Sequence, residues 1–335
     1  MERGNDSGEL QPSGLAVGKS DRAGLLRAGS PEAGHPSGLA LRRFMAEGLA
    51  SFGRDPQIYC AIVEGLAGWP DEVSEWASTA AKGPDALREA LAAAYLGLWR
   101  IDRFGKPHVA LLQGQIGWPG LALAINGTHK IADPAATFAA REVAEGGVPG
   151  WGASYWLAAA PRGLGLYLAL TGAKIDAALA YRIGWLTHRI AAAQFAGIKE
   201  QLSRGEPVDT LLDSLDLGPA DSALDPVLGA IERCFSASDL FGILARLDTT
   251  QGPQVDWARA TAAAMRAAPP LALAVTHRLL TAHGSPTLPD GLIMDFRVAM
   301  NGPAAPSQPD SIETVFEPPP SGDLVLPVAR PPSIC

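Results

Sequence analysis

Cysteine is scarce in this sequence, with three residues in a chain of 335, at positions 60, 234 and 335. They form no C-x-x-C pair, so their spacing excludes a zinc knuckle and a redox dithiol. Scattered thiols of this kind are typical of structural cysteines in a reducing compartment. The six histidines also lack a metal-ligand spacing. His108 and His129 lie in apolar, strand-like stretches, where we expect core side chains rather than ligands.

The sequence also lacks a net positive charge and long apolar runs. The formal net charge is −8, and the sequence has no basic stripe of the kind that binds a nucleic-acid backbone. The richest apolar stretch, Leu164–Leu170, is far shorter than the roughly 20 residues that a helix needs to cross a bilayer. The N-terminus has no apolar run of the secretory type. We therefore expect a cytoplasmic protein that binds neither nucleic acid nor a membrane.

Apolar residues are abundant and make up 47% of the chain. That fraction is enough for a large hydrophobic core and too high for a disordered chain. Residues 1–36 contain many Gly, Ser, Pro and charged residues, which favours a loose tail. Residues 301–335 contain many prolines (GPAAPSQP, EPPP, ARPPS) and are predicted to be a disordered tail.

Helices and strands alternate between these two tails. Apolar residues recur at helical spacing from Leu39 onward and again over Pro84–Arg100. Short apolar runs typical of buried strands lie at Ile58–Val63, His108–Leu112, Lys130–Ala132 and Thr137–Ala139. The alternation predicts an α/β architecture with parallel strand pairing. Beyond Leu164 the chain is predicted to be mainly helical, to about residue 300.

Four segments resemble the crotonase superfamily of acyl-CoA enzymes. Residues 106–142 (KPHVALLQGQIGWPGLALAINGTHKIADPAATFAARE) are similar to the superfamily's KPVIA strand, its Gly-Gly-Gly turn and the strand ending in F-x-x-P-E. Residues 164–188 (LGLYLALTGAKIDAALAYRIGWLTH) resemble the 3-hydroxyisobutyryl-CoA hydrolase branch. IERCFS at 231–236 and MDFR at 294–297 are shorter matches to the same branch.

The resemblance implies a crotonase-like spiral of β-β-α units over residues 37–195, followed by a helical C-terminal region over residues 196–300. It also implies a CoA thioester as substrate and no further cofactor. In the superfamily, two backbone N–H groups polarise the thioester carbonyl, with roughly 3–4 kcal/mol lost per donor removed. A glutamate or aspartate moves protons or activates water. A homo-oligomer is compatible with the sequence.

Glu142 occupies the position of the superfamily's P-E glutamate, with Arg141 in place of the proline. The resemblance implies a general base or acid here, and the alternative is an ordinary surface glutamate. The hydrolases carry a second acid eight residues later, which is Gly150 in this chain. Glu145 is therefore the nearby candidate to replace that acid, and its alternative role is a solvent-facing one.

The superfamily's glycine turn corresponds to Trp118, Pro119 and Gly120. Its middle residue normally donates one oxyanion N–H, and proline has none to donate. The remaining candidates for oxyanion or substrate contacts are Gly117, Gly120 and Gly68, which lies in a shortened loop after the first strand. The alternative is a rigid structural turn with Trp118 packed as a core aromatic.

Three functions follow as hypotheses. The first is a hydrolase of a short acyl-CoA such as 3-hydroxyisobutyryl-CoA, in valine breakdown, weakened by Pro119. The second is a catalytically inactive crotonase fold that serves as a binding or scaffold protein. Gly150, the shortened loop and the missing closing segment after Asn301 favour it. The third is an enoyl-CoA hydratase or isomerase, which Gly150 favours and Ala122, where hydratases carry another glutamate, opposes.

Overall fold

Two sheets organise the first part of the molecule. The computed structural model describes residues 15–29, 38–68, 78–282, 287–302 and 311–327. The strands in these residues are β1 (Leu15–Ser20), β2 (Ala23–Ala28), β3 (Cys60–Glu64), β4 (His108–Leu112), β5 (Gln115–Gly117), β6 (His129–Ala132), β7 (Thr137–Ala139), β8 (Lys174–Asp176) and β9 (His188–Arg189). The larger sheet has the order β1-β2-β3-β4-β6-β9 and the smaller one β5-β7-β8. Of the pairs described, β1–β2 and β7–β8 are antiparallel and the rest are parallel.

Helices alternate with these strands and then follow them. Among the described residues before position 195, the α-helices are α1 (Gly38–Arg54), α2 (Pro84–Asp102), α3 (Trp118–Ile125), α4 (Ala153–Trp156), α5 (Leu164–Thr171) and α6 (Ala177–Arg182). Those that follow are α7 (Phe195–Ser203), α8 (Val208–Leu215), α9 (Leu228–Phe235), α10 (Leu240–Asp248), α11 (Val255–Ala267), α12 (Pro270–Thr281), α13 (Leu288–Asn301) and α14 (Ile312–Val315). Among the described residues, no helix is both long enough and apolar enough to cross a membrane.

The larger sheet is buried on both faces, as parallel sheets usually are. Its central strand β4 is buried at every residue. Successive side chains of a strand point to opposite faces. Ala110 and Leu112 accordingly join the core beneath α1 and α2, while Val109 and Leu111 join a separate core beneath α7 and α8. The sheet is the middle of three layers.

The chain repeats a simple unit as it builds the two sheets. β4 belongs to the larger sheet and β5 to the smaller one, and α3 then connects β5 to β6 of the larger sheet. β6 and β7 then do the same before α4 and α5. This is the β-β-α alternation that the family resemblance implies, and helices follow one another after it.

The prediction of a loose tail over residues 1–36 is wrong for residues 15–28. β1 and β2 form an antiparallel ribbon, and β2 pairs in parallel with β3. Ala23 and Leu26 are buried in the core. The cause is backbone pairing with a strand more than thirty residues away, which local composition does not reveal. Residues 1–14 and 30–37 lie outside the described residues.

The prediction of a disordered tail over residues 301–335 also needs correction, for residues 311–327. The Ser311 hydroxyl accepts the N–H of Thr314 and so caps the start of α14. Val315 and Leu324 are buried against the body of the protein. The Asp323 carboxylate pairs with Arg297 of α13 at 2.5 Å. Prolines restrict regular structure in this segment to the short helix α14 without preventing its packing. Residues 303–310 and 328–335 lie outside the described residues.

Candidate active site

Two chain segments meet where the parallel strands β5 and β7 end. Gly117 of β5 pairs with Ala139 of β7. Gly117 is followed directly by α3, and Ala139 is followed three residues later by Glu142. The carboxyl ends of parallel strands lie at the same edge of a sheet, so the start of α3 and the turn that carries Glu142 are neighbours. The predicted glycine turn and the predicted acid are thus brought to one place.

Helix α3 begins at Trp118, and Pro119 is its second residue. Proline is tolerated in a first turn because the N–H groups there have no acceptor inside the helix. The N–H groups of Trp118 and Gly120 therefore point out of the helix at the positive end of its dipole, and Pro119 contributes none. The geometry leaves Gly120 as a candidate donor.

Gly120 is also a point of close approach between two loops. A Cβ atom at this position would lie 2.5 Å from the carbonyl oxygen of Leu66. No side chain fits at that distance, so the loop after β3 can pack against α3 only if residue 120 is glycine. The loop holding Leu66 and the predicted donor Gly68 thus lies directly against the turn.

Gly68 does not meet the prediction that it is an oxyanion donor. Its N–H donates to the carbonyl oxygen of Gln115 at 3.0 Å. A backbone N–H with a good protein acceptor has no hydrogen left for a substrate. The bond ties the loop to β5, and the physical reason for the failure is that sequence does not reveal which backbone acceptor a loop N–H will find.

Glu142 lies in the turn after β7, where its carbonyl oxygen accepts the N–H of Gly147 at 2.7 Å. The residue is half-buried, and the carboxylate oxygen Oε2 is shielded from solvent. Its side chain is thus only partly open to water, and its role as a general base or acid stays a prediction. Glu145 is exposed, and its carboxylate contacts Arg141 at 3.4 Å. That pairing supports the solvent-facing alternative for Glu145 and not the catalytic one.

The Trp118 side chain points into the protein. It is 2% exposed, and its Nε1–H donates to the carbonyl oxygen of Gly150 at 2.7 Å. The Trp185 ring meets it edge-on at 5.5 Å between centroids. The alternative of a core aromatic at the turn describes this side chain. The indole spans the distance between the turn and Gly150, the position where the hydrolases carry their second acid.

The segment around Gly150 is held by a buried arginine that sequence reasoning missed. The Arg42 guanidinium of α1 lies over the Trp151 ring at 3.6 Å from its centroid. It donates to the carbonyl oxygens of Gly38 at 3.0 Å and of Pro119 at 3.4 Å. Arg42 is 1% exposed, so it connects the turn with the Trp151 segment from inside the core. The helical periodicity of α1 does not predict the burial of Arg42, because polar residues of such a helix are expected to face water.

A second missed residue, Asp295 of α13, holds the other side of the same segment. Its carboxylate accepts the N–H of Gly152 at 2.6 Å and the N–H of Ser154 at 3.3 Å. Burial raises the pKa of Asp295 to about 7, although these hydrogen bonds oppose the shift. The signal available was the MDFR match at 294–297, in which the aspartate is followed by an aromatic residue on an apolar helix face.

Three histidines form a separate cluster on the larger sheet. His108 is fully buried, neither of its ring nitrogens has a hydrogen-bond partner among the described residues, and burial lowers its pKa to about 4. His129 and His188 bond Asp209 and Asp213 of α8 at 2.9 and 3.1 Å. These pairs dock α8 on the sheet. Within the described ranges, no group of His, Cys, Asp and Glu is arranged to hold a metal ion.

The arrangement can perform a limited chemistry. Outward N–H groups at the start of α3 can donate hydrogen bonds to a carbonyl oxygen and so stabilise negative charge on it. The carboxylate of Glu142, one oxygen of which is shielded, can hold or move a proton beside it. The structure brings together Gly117, Gly120 and Glu142, and it separates Gly68 and Glu145 from these roles.

A protein-family comparison matches most of the chain. The family model described as enoyl-CoA hydratase/isomerase covers residues 40–317. Among curated proteins, the chain is 29% identical over 273 residues to "3-hydroxyisobutyryl-CoA hydrolase-like protein 1, mitochondrial" of Arabidopsis thaliana, covering 78% of this chain and 68% of that protein. It is 25% identical over 295 residues to "3-hydroxyisobutyryl-CoA hydrolase, mitochondrial" of Xenopus tropicalis, covering 84% of this chain and 76% of that protein.

Solved structures confirm the fold. A carnitinyl-CoA dehydratase from Mycobacterium thermoresistibile superposes with a TM-score of 0.80 at 23% identity, covering 92% of this chain and 98% of that one. An enoyl-CoA hydratase from Rhodobacter sphaeroides gives a TM-score of 0.79 at 24% identity, covering 94% and 100%. The crotonase-like spiral and helical C-terminal region predicted from the sequence are therefore confirmed.

The prediction of a cytoplasmic protein is wrong. The named relatives from Arabidopsis thaliana, Xenopus tropicalis, Bos taurus and Rattus norvegicus are mitochondrial proteins by name. The physical reason is that organelle transit peptides are amphipathic and need no long apolar run, so the lack of one excludes only the secretory type.

Proposed function

The chain belongs to the enoyl-CoA hydratase/isomerase family, and on that premise we propose that it is a CoA-thioester hydrolase of low activity. The proposed reaction class comes from the relatives named as 3-hydroxyisobutyryl-CoA hydrolases. The observation that carries the proposal is the pairing of Gly117 with Ala139, which sets the N–H groups of α3 beside the turn of Glu142.

The proposed mechanism uses the N–H groups of α3 and the carboxylate of Glu142 together in the attack of water. The thioester carbonyl oxygen faces the N–H groups at the start of α3, which stabilise the charge that develops on it. Glu142 takes a proton from a water molecule as the water oxygen attacks the carbonyl carbon. When the tetrahedral intermediate collapses, the carbon–sulfur bond breaks and the proton passes to the departing CoA sulfur. The products are a carboxylic acid and free CoA.

Low activity is proposed because Pro119 has no N–H at the central position of the turn. Loss of one oxyanion donor lowers the rate roughly a hundred- to a thousandfold. Gly68 cannot replace it while its N–H is bonded to Gln115. Gly150 has no carboxylate to serve as a second acid. Groups that act as a unit fail together, so Pro119→Gly alone is expected to restore little.

A second candidate function is a catalytically inactive protein that binds CoA esters. The bond from Gly68 to Gln115 favours it, because Gly68 and Pro119 then both fail to supply an oxyanion N–H. The two candidates differ in turnover and not in binding.

The test is release of CoA thiol from acetyl-, isobutyryl- and 3-hydroxyisobutyryl-CoA, measured with the unaltered protein and two matched variants. Glu142→Gln removes the proposed base, and Glu145→Gln makes the same isosteric change on the neighbouring exposed carboxylate. We expect slow hydrolysis that Glu142→Gln lowers at least a hundredfold and that Glu145→Gln leaves unchanged. Equal rates for the two variants would remove Glu142 from the mechanism.

Calorimetric titration with the same three esters separates the two candidates. Binding without turnover would favour the inactive protein. No binding of any ester at millimolar concentration would contradict both.

A further inference from the structure

The Trp118 indole occupies space that a glycine would leave empty. The superfamily resemblance places glycine at this position, and glycine has no side chain. Here the indole lies inside the protein at 2% exposure, between the start of α3 and Gly150. The volume of a complete aromatic side chain is therefore filled at the point where the turn faces the position of the second acid.

Two contacts fix the indole in place. Its Nε1–H donates to the buried carbonyl oxygen of Gly150 at 2.7 Å. Swinging the ring away would leave that acceptor buried without its hydrogen bond, which carries a desolvation cost. The Trp185 ring packs edge-on against it at 5.5 Å, in an arrangement that aromatic pairs favour. The Trp118 indole is thus held in one position beside the start of α3, where it forms a fixed wall.

Very little space is left beside this wall. A cavity of about 10 Å³ remains, which is room for one group the size of a water molecule. The side chains around it are Trp118, Leu121, Phe138, Ala139, Ala140, Leu157, Leu168 and Trp185. Six of them are wholly apolar, and the N–H of the Trp118 indole is already bonded to Gly150, so a hydroxyl group placed among them would lose most of its hydrogen bonds to water.

We propose that Trp118 is the specificity-determining residue of the candidate site and restricts it to CoA thioesters whose acyl group is no larger than acetyl. The inference rests on the proposed function, because it takes the acyl group to lie between the start of α3 and the turn of Glu142. A single methyl group beyond the carbonyl matches the remaining space. A branched four-carbon acyl group does not fit, and its 3-hydroxy form adds a polar group facing an apolar wall.

The experiment measures binding by calorimetry, so that it does not depend on catalytic rate. The ligands are acetyl-CoA and isobutyryl-CoA, which differ only in the acyl group. The variants are Trp118→Ala, which opens the wall, and Trp257→Ala as the matched control. Trp257 is a half-buried indole on α11 that bonds the Tyr167 hydroxyl at 3.3 Å and does not border the cavity.

We expect the unaltered protein to bind acetyl-CoA at least tenfold more tightly than isobutyryl-CoA. Trp118→Ala is expected to bind isobutyryl-CoA at least tenfold more tightly than the unaltered protein does, and Trp257→Ala is expected to match the unaltered protein. Should Trp118→Ala fail to fold, Trp118→Leu retains part of the apolar volume and is expected to shift the preference in the same direction.

Two results would overturn the inference, and they differ in what else they overturn. If the unaltered protein and Trp118→Ala bind isobutyryl-CoA equally well, Trp118 does not set the acyl size, and the proposed function stands. If no folded variant binds either ester, the proposed function fails together with the inference.

Discussion

The carboxylate of Asp295 is predicted to make the protein less stable as pH rises. Burial raises the pKa of Asp295 to about 7, against about 3.9 in an unfolded chain. Between these values the folded protein holds a proton that the unfolded chain has released. The free energy of unfolding therefore falls as pH rises through this window. The full shift amounts to about 4 kcal/mol, most of which falls between pH 5 and pH 8.

The variant Asp295→Asn removes this titration while keeping the shape of the side chain. Its amide oxygen can still accept the N–H of Gly152, but its NH₂ group faces the N–H of Ser154 and cannot accept it. At pH 5 the variant is therefore expected to be less stable than the unaltered protein or equal to it. By pH 8 the difference is expected to move by roughly 2–4 kcal/mol in favour of the variant.

Urea unfolding at pH 5, 6, 7 and 8 measures the difference. The matched control is Asp256→Asn, whose side chain is 93% exposed and which is expected to stay within about 0.5 kcal/mol of the unaltered protein throughout. Two backbone N–H groups bond the Asp295 carboxylate and favour its charged form. If they outweigh burial, the difference will stay flat or move in favour of the unaltered protein, and the reasoning is refuted.

Other predictions concern the buried groups around the site. Arg42→Lys keeps the charge but loses the planar stack on Trp151 and the two-carbonyl fork, so urea unfolding should show a loss of roughly 2–4 kcal/mol. Because burial lowers the pKa of His108 to about 4, this side chain contributes stability that is lost as pH falls from about 6.5 toward 4, opposite in sign to the effect of Asp295. Relative to the unaltered protein, His108→Leu should therefore gain stability as pH falls through this window, and a constant difference between the two would contradict the assignment. Gly120→Ala should cost about 1–3 kcal/mol through its 2.5 Å approach to the Leu66 carbonyl. Gly197→Ala, in a helix with open space around it, should be neutral or stabilising by up to about 1 kcal/mol.

The fold could be predicted from the sequence where the signals are local. The runs around β3 and β4 are apolar and bounded by polar residues, and both form buried strands. Helix α2 begins at Pro84, as its periodicity predicts. The packing of residues 15–28 and 311–327 could not be predicted in this way. Their burial depends on distant partners, and both segments contain the glycine or proline that loops also contain.

For the candidate site, too, local features could be predicted from the sequence and contacts between distant residues could not. Trp118 and Pro119 could be assigned to the turn because the motif fixes their spacing. The fate of the Gly68 N–H could not be predicted, because every loop N–H has several acceptors within reach and only the folded chain selects one. Arg42 and Asp295 sit on amphipathic helices, where a charged residue is expected to face water. Their burial is decided by the segment 148–152, which lies more than a hundred residues from each of them in sequence.

Trp118 and Pro119 are adjacent, yet on this geometry they act on different steps of the proposed reaction. The indole is in place before and during the reaction, so it raises the free energy of the bound substrate and of the transition state alike. Its effect falls on affinity. Pro119 lacks a donor whose contribution is largest when the carbonyl oxygen becomes an oxyanion, so its effect falls on turnover. A saturating substrate concentration restores the rate that is lost through weak affinity, but it does not restore the rate that is lost through a missing donor. Removing the indole should therefore give tighter binding without fast turnover, and for that reason binding, not rate, reports what Trp118 does.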